Sequence, residues 1–148
     1  MCLIIFAHRV NNNYPLVLSA NRDEFFSRKS REAQFWREEV GCSNLLAGKD
    51  LEAGGTWIGI TKDGKFAAIT NLRKNPEDDQ ALVSRGALTL EYLIGQESPY
   101  NFARKVFGNL ASYKGFNLLL GSKQEMVLLN SREKSILTLG PGIYAFSN

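Results

Sequence analysis

Residues 2–24 read CLIIFAHRVNNNYPLVLSANRDE, and this stretch decides the fold. Two short apolar runs, Cys2–His8 and Pro15–Ala20, are separated by a run of three asparagines, a pattern typical of a buried β-hairpin. Antiparallel pairing of the two runs places the start of the first beside the end of the second. We therefore expect Cys2 to lie close to residues 21–23.

Cys2 follows the initiator Met1 directly, and a small side chain at this position favours removal of the Met. The mature chain would then begin with the amine of Cys2, beside its own thiol. The ordinary pKa of a thiol is ~8.5 and that of an α-amine ~7.7–8.0, so one residue supplies a nucleophile and a base near neutral pH. This is the arrangement of N-terminal-nucleophile catalysis.

Three side chains of the sequence have the chemistry that such a nucleophile needs. We predict that Asp23 holds the amine, that Arg22 stabilises the thiolate or a substrate carboxylate, and that the Asn71 amide donates to the oxyanion. Strand alternation would send Arg22 and Asp23 to opposite faces unless the chain turns just after Ala20. The alternative is that Arg22 and Asp23 are the cap and ion-pair residues of a loop.

Composition describes an ordinary globular chain of 148 residues with a net charge of +3, which fits one domain. Residues 22–37 hold five basic and three acidic side chains. They form either a positive rim for a carboxylate or phosphate ligand or a solvated loop. Nucleic-acid binding would require a longer basic face, so we expect none.

Cys2 and Cys42 are the two cysteines, and they form no Cys-x-x-Cys motif. Without a secretory signal this usage indicates a reducing, cytoplasmic compartment, with no disulfide and no cysteine-based zinc site. No run approaches the ~18 apolar residues of a transmembrane segment. His8, the sole histidine, is either a buried core or edge residue or a ligand for haem iron.

Between Phe25 and Asp50 the periodicity is weak and the charge is high, which predicts a long surface loop. Its aromatic residues either line a pocket or pin the loop to the core; they are Phe25, Phe26, Phe35 and Trp36. A second hairpin follows over Thr56–Thr61 and Phe66–Asn71, because an Asp-Gly pair between them is typical of a tight turn.

Two helices come next. The first has an apolar stripe formed by Val83, Ala87, Leu90, Leu93 and Ile94. The second begins at Ser98-Pro99, a cap followed by a first-turn proline, and its stripe is Ala103, Val106, Phe107 and Leu110. Four strands close the chain, at Phe116–Gly121, Met126–Asn130, Ile136–Leu139 and Ile143–Phe146. This grouping predicts an α+β fold with helices layered on an antiparallel sheet.

Six blocks in order carry a family resemblance: Met1-Cys2, Asn21-Arg22-Asp23-Glu24, Gly55-Thr56-Trp57-Ile58-Gly59, Ala68-Ile69-Thr70-Asn71, Gly115-Phe116-Asn117-Leu118 and Gly142–Asn148. Together they resemble the NRDE family, the transport and Golgi organisation 2-like proteins. That family in turn resembles the N-terminal-nucleophile hydrolases, and the resemblance implies a four-layer α-β-β-α sandwich. It implies catalytic roles for Cys2, Arg22 and Asp23, and amide-donor roles for Asn71 and Asn117.

Around these residues we predict a ligand-binding wall made of Asn21, Phe25, Phe26, Trp36, Trp57 and Arg73. The resemblance also implies continuation beyond Ser147-Asn148, so we expect residues 1–148 to be a single NRDE domain, incomplete at its C-terminus, from a longer chain. The first functional hypothesis is hydrolysis of a non-peptide amide through Cys2. The alternative is a non-enzymatic carrier of a small amphipathic ligand, haem or an acyl lipid. No cofactor is required in either case.

Overall fold

A computed structural model describes residues 2–39, 41–72 and 83–147. These residues form ten strands and two α-helices. The strands are β1 Leu3–His8, β2 Leu16–Asn21, β3 Ser30–Phe35, β4 Leu45–Asp50, β5 Ile58–Thr61, β6 Phe66–Asn71, β7 Phe116–Gly121, β8 Met126–Asn130, β9 Ser135–Thr138 and β10 Gly142–Ser147. The helices are α1 Gly86–Ile94 and α2 Pro99–Phe107. The predicted α+β class is confirmed.

The strands form two antiparallel sheets. The small sheet has the order β10-β1-β2, and the large sheet has the order β3-β4-β5-β6-β7-β8-β9. In the small sheet Leu3 pairs with Asn21 and His8 with Leu16, which confirms the predicted first hairpin. Since β1 lies between β2 and β10, both of its edges are hydrogen-bonded and its position is fixed from two sides.

The helices, the large sheet and the small sheet form three layers, with an apolar core between each pair of neighbouring layers. Between the sheets, Ile4 and Phe6 of β1 pack against a group of large-sheet side chains, Phe66, Ala68, Leu119 and Met126. On the other face of the large sheet, α1 and α2 bury a second group, Leu88, Tyr92, Leu93, Phe102, Ala103 and Val106. Strands β6 and β7 are therefore buried on both faces, which explains their continuous apolar sequences.

The layer order of the described residues is helix, sheet, sheet. This order matches three of the four layers of the expected α-β-β-α sandwich. The outer face of the small sheet is open: Ile5, Val17 and Ile143 are 44%, 51% and 74% exposed. Within the described part of the chain no helix is long and apolar enough to cross a bilayer.

The predicted surface loop over residues 25–50 is wrong, because this segment contains β3 and β4. β3 is the edge strand of the large sheet and carries mostly exposed, polar side chains, so it lacks an apolar alternation. A register shift between Arg31 and Gln34 further disturbs its pattern.

The predicted stripe of the first helix is partly wrong. α1 buries Leu88, Thr89, Tyr92 and Leu93, whereas Val83 precedes the helix. Ala87 and Ile94 point to solvent. The buried face was not recognised in the sequence because it includes a Thr and a Tyr. The second helix is confirmed at its start, since the Ser98 hydroxyl accepts a hydrogen bond from the Asn101 amide at 3.2 Å and Pro99 is in the first turn.

Burial of His8 predicts a pH dependence of stability. Burial, and then the charge of Arg9, lower the pKa of His8 below its ordinary value. As the pH falls through about 6.5, the unfolded chain takes up a proton before the folded chain does, so the free energy of unfolding decreases below that pH and is unaffected by His8 well above it. We expect urea unfolding at about pH 7.5 and 5.5 to show this loss, and His8→Gln to flatten it. An unchanged slope in His8→Gln would contradict the assignment.

Candidate functional site

The Cys2 thiol lies against the backbone that follows β2. Its sulfur accepts a hydrogen bond from the Asp23 amide at 3.3 Å and lies 3.8 Å from the Asp23 carbonyl oxygen. Cys2 is only 6% exposed. The pairing of Leu3 with Asn21 places the two segments together, because residue 2 then lies opposite residues 22–23. An N–H donor at this distance stabilises negative charge on sulfur.

A cavity of about 330 Å³ opens at this point. Five of the predicted site residues line it: Cys2, Arg22, Asp23, Trp57 and Asn71. Strand β2 ends at Asn21 and no regular structure follows over residues 22–25, so strand alternation does not separate Arg22 from Asp23. The structure thus brings the thiol, a guanidinium, a carboxylate residue and an amide side chain around one space.

Arg22 is held by two carboxylates. Its Nη2 lies 3.2 Å from Glu24 Oε2 and 3.5 Å from Asp50 Oδ2. Arg28 reaches the same carboxylate, with 2.8 Å between its Nε and Asp50 Oδ2, and contacts Glu52 at 3.4 Å. The Asp50 oxygen Oδ1 accepts hydrogen bonds from the Glu52 and Ala53 amides at 3.0 and 3.2 Å.

This network shifts the pKa values of Asp50 and Arg28. Burial alone would raise the pKa of Asp50, but hydrogen bonds from Arg28 and from the Ala53 and Glu52 amides hold it below the usual range. The hydrogen bond to Asp50 in turn raises the pKa of Arg28. Asp50 ends β4 of the large sheet and Arg22 follows β2 of the small sheet, so the pair joins the two sheets at the cavity.

The two predicted amide donors occupy different places. Asn71 lines the cavity at the end of β6. Asn117 is 4% exposed, and its Nδ2 donates to Thr70 Oγ1 at 3.2 Å and to the Ser147 carbonyl at 3.3 Å. Asn117 does not line the cavity, since its amide hydrogens are directed to the protein. The structure thus places Asn71 at the cavity and Asn117 away from its lining, and the oxyanion role stays a prediction.

The predicted ligand-binding wall is not assembled as a unit. Trp57 lines the cavity, whereas Trp36 is 1% exposed in the core, where its Nε1 donates to the Ala47 carbonyl at 2.9 Å. Phe25 and Phe26 are 82% and 110% exposed and lie outside the cavity lining. The Asn21 Oδ1 accepts from the Leu3 amide at 3.1 Å. Arg73 lies outside the described residues.

Trp36 lies in the core and not in the predicted ligand-binding wall, and the neighbouring strands explain why. The unexpected strands β3 and β4 flank it, and its backbone amide donates to the Leu45 carbonyl at 3.0 Å. This pairing turns the indole into the helix-side core. The aromatic residues of segment 25–36 therefore divide between the core and the solvent.

No metal centre is formed by the described residues, among which no three Cys, His, Asp or Glu side chains are grouped to hold an ion. His8 is at the opposite end of β1 from Cys2, 4% exposed and facing the inter-sheet core. Six strand residues span about 20 Å, so His8 and the cavity are separate features.

The shape of the cavity depends on a close approach of two glycines in its lining. A Cβ on Gly55 would lie 2.6 Å from the backbone of Gly86, the first residue of α1. The Gly86 carbonyl also accepts from the Thr56 amide at 3.3 Å. Backbone contact of this kind holds α1 against the segment that leads through Trp57 into β5.

Sequence reasoning missed Asp50 and a further group of residues in the cavity lining, which includes Ser84, Arg85, Gly86 and Lys114. One sequence signal could have indicated Asp50. It is an acidic residue that closely follows the short apolar segment 45–47, and this segment begins β4. No sequence pattern around Lys114 indicates a site. It lines the same cavity as Cys2 only because the chain folds.

Asp50→Asn is expected to lower the free energy of unfolding by about 1–3 kcal/mol, because it removes charge from a partly buried carboxylate bonded by Arg28 and two amides. Glu52→Gln is the matched control: its side chain is 51% exposed, so the loss should stay within about 0.5 kcal/mol. Urea unfolding at neutral pH measures both. Equal losses in the two variants would contradict a special role for Asp50.

The family model described as Transport and Golgi organisation 2 matches residues 1–148. The mouse Transport and Golgi organization 2 homolog is 36% identical over 161 residues, covering 100% of this chain and 57% of the relative. The human homolog is also 36% identical, and the Drosophila melanogaster protein is 29% identical over 163 residues, covering 100% of this chain and 55% of its own length.

The chain thus spans a little over half the length of these curated relatives. Among solved structures, penicillin V acylase from Agrobacterium tumefaciens matches 95% of this chain and 41% of its own, with a TM-score of 0.45 and 11% identity. The full-length family match and the 36% identity together confirm the resemblance drawn from the six blocks. This chain belongs to the Transport and Golgi organisation 2 family.

Proposed function

We propose that, after removal of Met1, Cys2 acts as an N-terminal nucleophile that hydrolyses a non-peptide amide. The observation that carries this proposal is the Cys2 sulfur, which lines a cavity of about 330 Å³ and accepts the Asp23 amide hydrogen at 3.3 Å. A nucleophile needs both access to a substrate and stabilisation of its charged form, and this position provides both.

The reaction begins with transfer of the thiol proton to the free amine of Cys2. The sulfur attacks the amide carbonyl carbon, and negative charge develops on the carbonyl oxygen. The ammonium then gives its proton to the leaving nitrogen as the C–N bond breaks. Water adds to the resulting thioester, which releases the acid and restores the thiol.

Surrounding groups support particular steps. The Asn71 amide is the donor for the oxyanion, because it lines the same cavity as the sulfur. Arg22 is paired with Glu24 and Asp50, so we assign it a positioning role for the segment that carries the Asp23 amide. Asp23 lines the cavity beside Cys2, where its carboxylate is the proposed anchor of the amine.

The second candidate is a carrier of an amphipathic ligand, haem or an acyl lipid. The observation that favours it is the exposure of two adjacent phenyl rings, Phe25 and Phe26, directly after the site segment. Burial of Trp36 removes one side chain from the proposed apolar wall, so the polar cavity supports the amidohydrolase better. Saturable binding of haem that survives Cys2→Ala and fails in Phe25→Ser/Phe26→Ser would favour the carrier instead.

Iodoacetamide provides the test of the nucleophile, because it is a small amide that alkylates thiolates. We expect intact mass analysis to show loss of Met1 and one added carboxamidomethyl group, on Cys2. Cys42 is the internal control: burial, and then the charge of Glu39, raise its pKa, so less thiolate forms near neutral pH. We expect Cys2 to react at least about tenfold faster.

Cys42→Ala should keep this reactivity, and Cys2→Ala should abolish it without loss of the folded far-UV spectrum. Turnover is then measured with 7-amino-4-methylcoumarin amides of acetic, butyric and octanoic acid, with Cys2→Ala as the blank. Retention of Met1 in the natively expressed protein, or a Cys2 that reacts no faster than Cys42, would contradict the proposed mechanism.

A further inference from the structure

Asn21 opens the Asn-Arg-Asp-Glu motif, and it does not line the cavity that the motif's other three residues line. It is an exposed residue at the last pair of the first hairpin, opposite Leu3. The Asn21 Oδ1 accepts a hydrogen bond from the Leu3 amide at 3.1 Å. Since Asn21 is absent from the cavity lining, its contribution to the site passes through the chain that it holds.

The peptide held by Asn21 is the one that joins Cys2 to Leu3. Asn21 therefore holds Cys2 through this peptide, and the Asp23 amide holds it again by donating to the sulfur at 3.3 Å. Both contacts come from one short segment at the end of β2, residues 21–23. Because the peptide is planar, only the ψ and χ1 angles of Cys2 remain between the two held groups.

A hold of this kind matters most at the end of a chain. Terminal residues of most domains are poorly ordered unless they are tied down. When Met1 is removed, Cys2 becomes the terminal residue and is joined to the chain on one side only. Strand β1 begins at Leu3, so Cys2 itself precedes the strand pairing. A hydrogen bond to the amide that directly follows Cys2 limits how far the terminal residue can turn away from Asp23.

We propose that Asn21 is a positioning residue for Cys2. Its side-chain carbonyl fixes the peptide between Cys2 and Leu3, and this keeps the sulfur beside the Asp23 amide and at the cavity. The alignment of the sulfur with a substrate carbonyl deepens the proposed function and rests on it. The hold on Cys2 does not require hydrolysis, so it is tested separately.

Two substitutions and a matched control isolate this hydrogen bond. Asn21→Ala removes the acceptor, whereas Asn21→Asp keeps an oxygen that accepts from the Leu3 amide. Asn11→Ala is the control, because Asn11 Oδ1 also accepts from backbone amides of this hairpin, those of Asn13 and Tyr14, at 2.8 and 3.2 Å. Asn11 lies beyond the other end of β1, about 20 Å from Leu3. Its loss weakens the same hairpin far from the cavity.

Nuclear magnetic resonance of the 15N-labelled variants measures the hold without turnover. We expect Asn21→Ala to speed hydrogen exchange at the Leu3 amide by about fivefold. It should also reduce the shift of the Asp23 amide resonance through the pH range of thiol ionisation, toward that of Cys2→Ala. Asn21→Asp should retain the size of this shift, and Asn11→Ala should leave both measurements unchanged.

A full Asp23 response in folded Asn21→Ala would overturn the proposal, as would an equal loss of response in Asn11→Ala. Both outcomes would assign Asn21 no more than a share in the stability of the hairpin.

Turnover of the coumarin amides separates positioning of the nucleophile from contact with the ligand. Asn21→Ala is expected to lower kcat by about tenfold with KM little changed, because the sulfur loses its alignment. Asn11→Ala should keep kcat. A raised KM with unchanged kcat in Asn21→Ala would contradict the positioning role. Absence of turnover in the unaltered protein would instead contradict the proposed function, and the resonance measurements would still decide the role of Asn21.

Discussion

The pairing of β1 with β2 is the constraint on which the site depends. Leu3 opposite Asn21 places the Asp23 amide 3.3 Å from the Cys2 sulfur. A slip of one residue would turn every side chain of β1 to the other face, taking Ile4 and Phe6 out of the core. Both are at most 1% exposed, so burial of these side chains fixes the register that holds the thiol in place.

The site lies where the two sheets meet, and polar contacts join them there. Asp50 at the end of β4 binds Arg22, and buried Asn117 of β7 donates to the Ser147 carbonyl of β10. Asn117 therefore acts beneath the cavity as a link between layers. The end of β6 in the large sheet contributes the amide of Asn71, and the segment before β1 contributes Cys2, the proposed nucleophile, so the proposed chemistry depends on the relative position of the sheets.

Sequence patterns predicted those parts of the molecule that follow local rules. The first hairpin, β6, β7 and the cap of α2 were predicted because period, turn residues and capping residues agree along the chain. The edge strand β3 was missed because solvent surrounds most of its side chains, and α1 was misread because Thr89 and Tyr92 are on its buried face. Cys2, Arg22 and Asp23 were brought together by a predictable hairpin. Asp50 and Lys114 joined them through tertiary contacts that leave no periodic signal.

The central claim is that the Asp23 amide senses and stabilises charge on the Cys2 sulfur. Nuclear magnetic resonance of the Met1-processed protein, labelled with 13C at cysteine Cβ and with 15N at the backbone, tests it through a pH titration. The account predicts that the Cys2 Cβ and Asp23 amide resonances shift together with one midpoint, and that Cys2→Ala removes this step from the Asp23 amide. An Asp23 amide that stays unchanged while the thiol ionises would contradict the account.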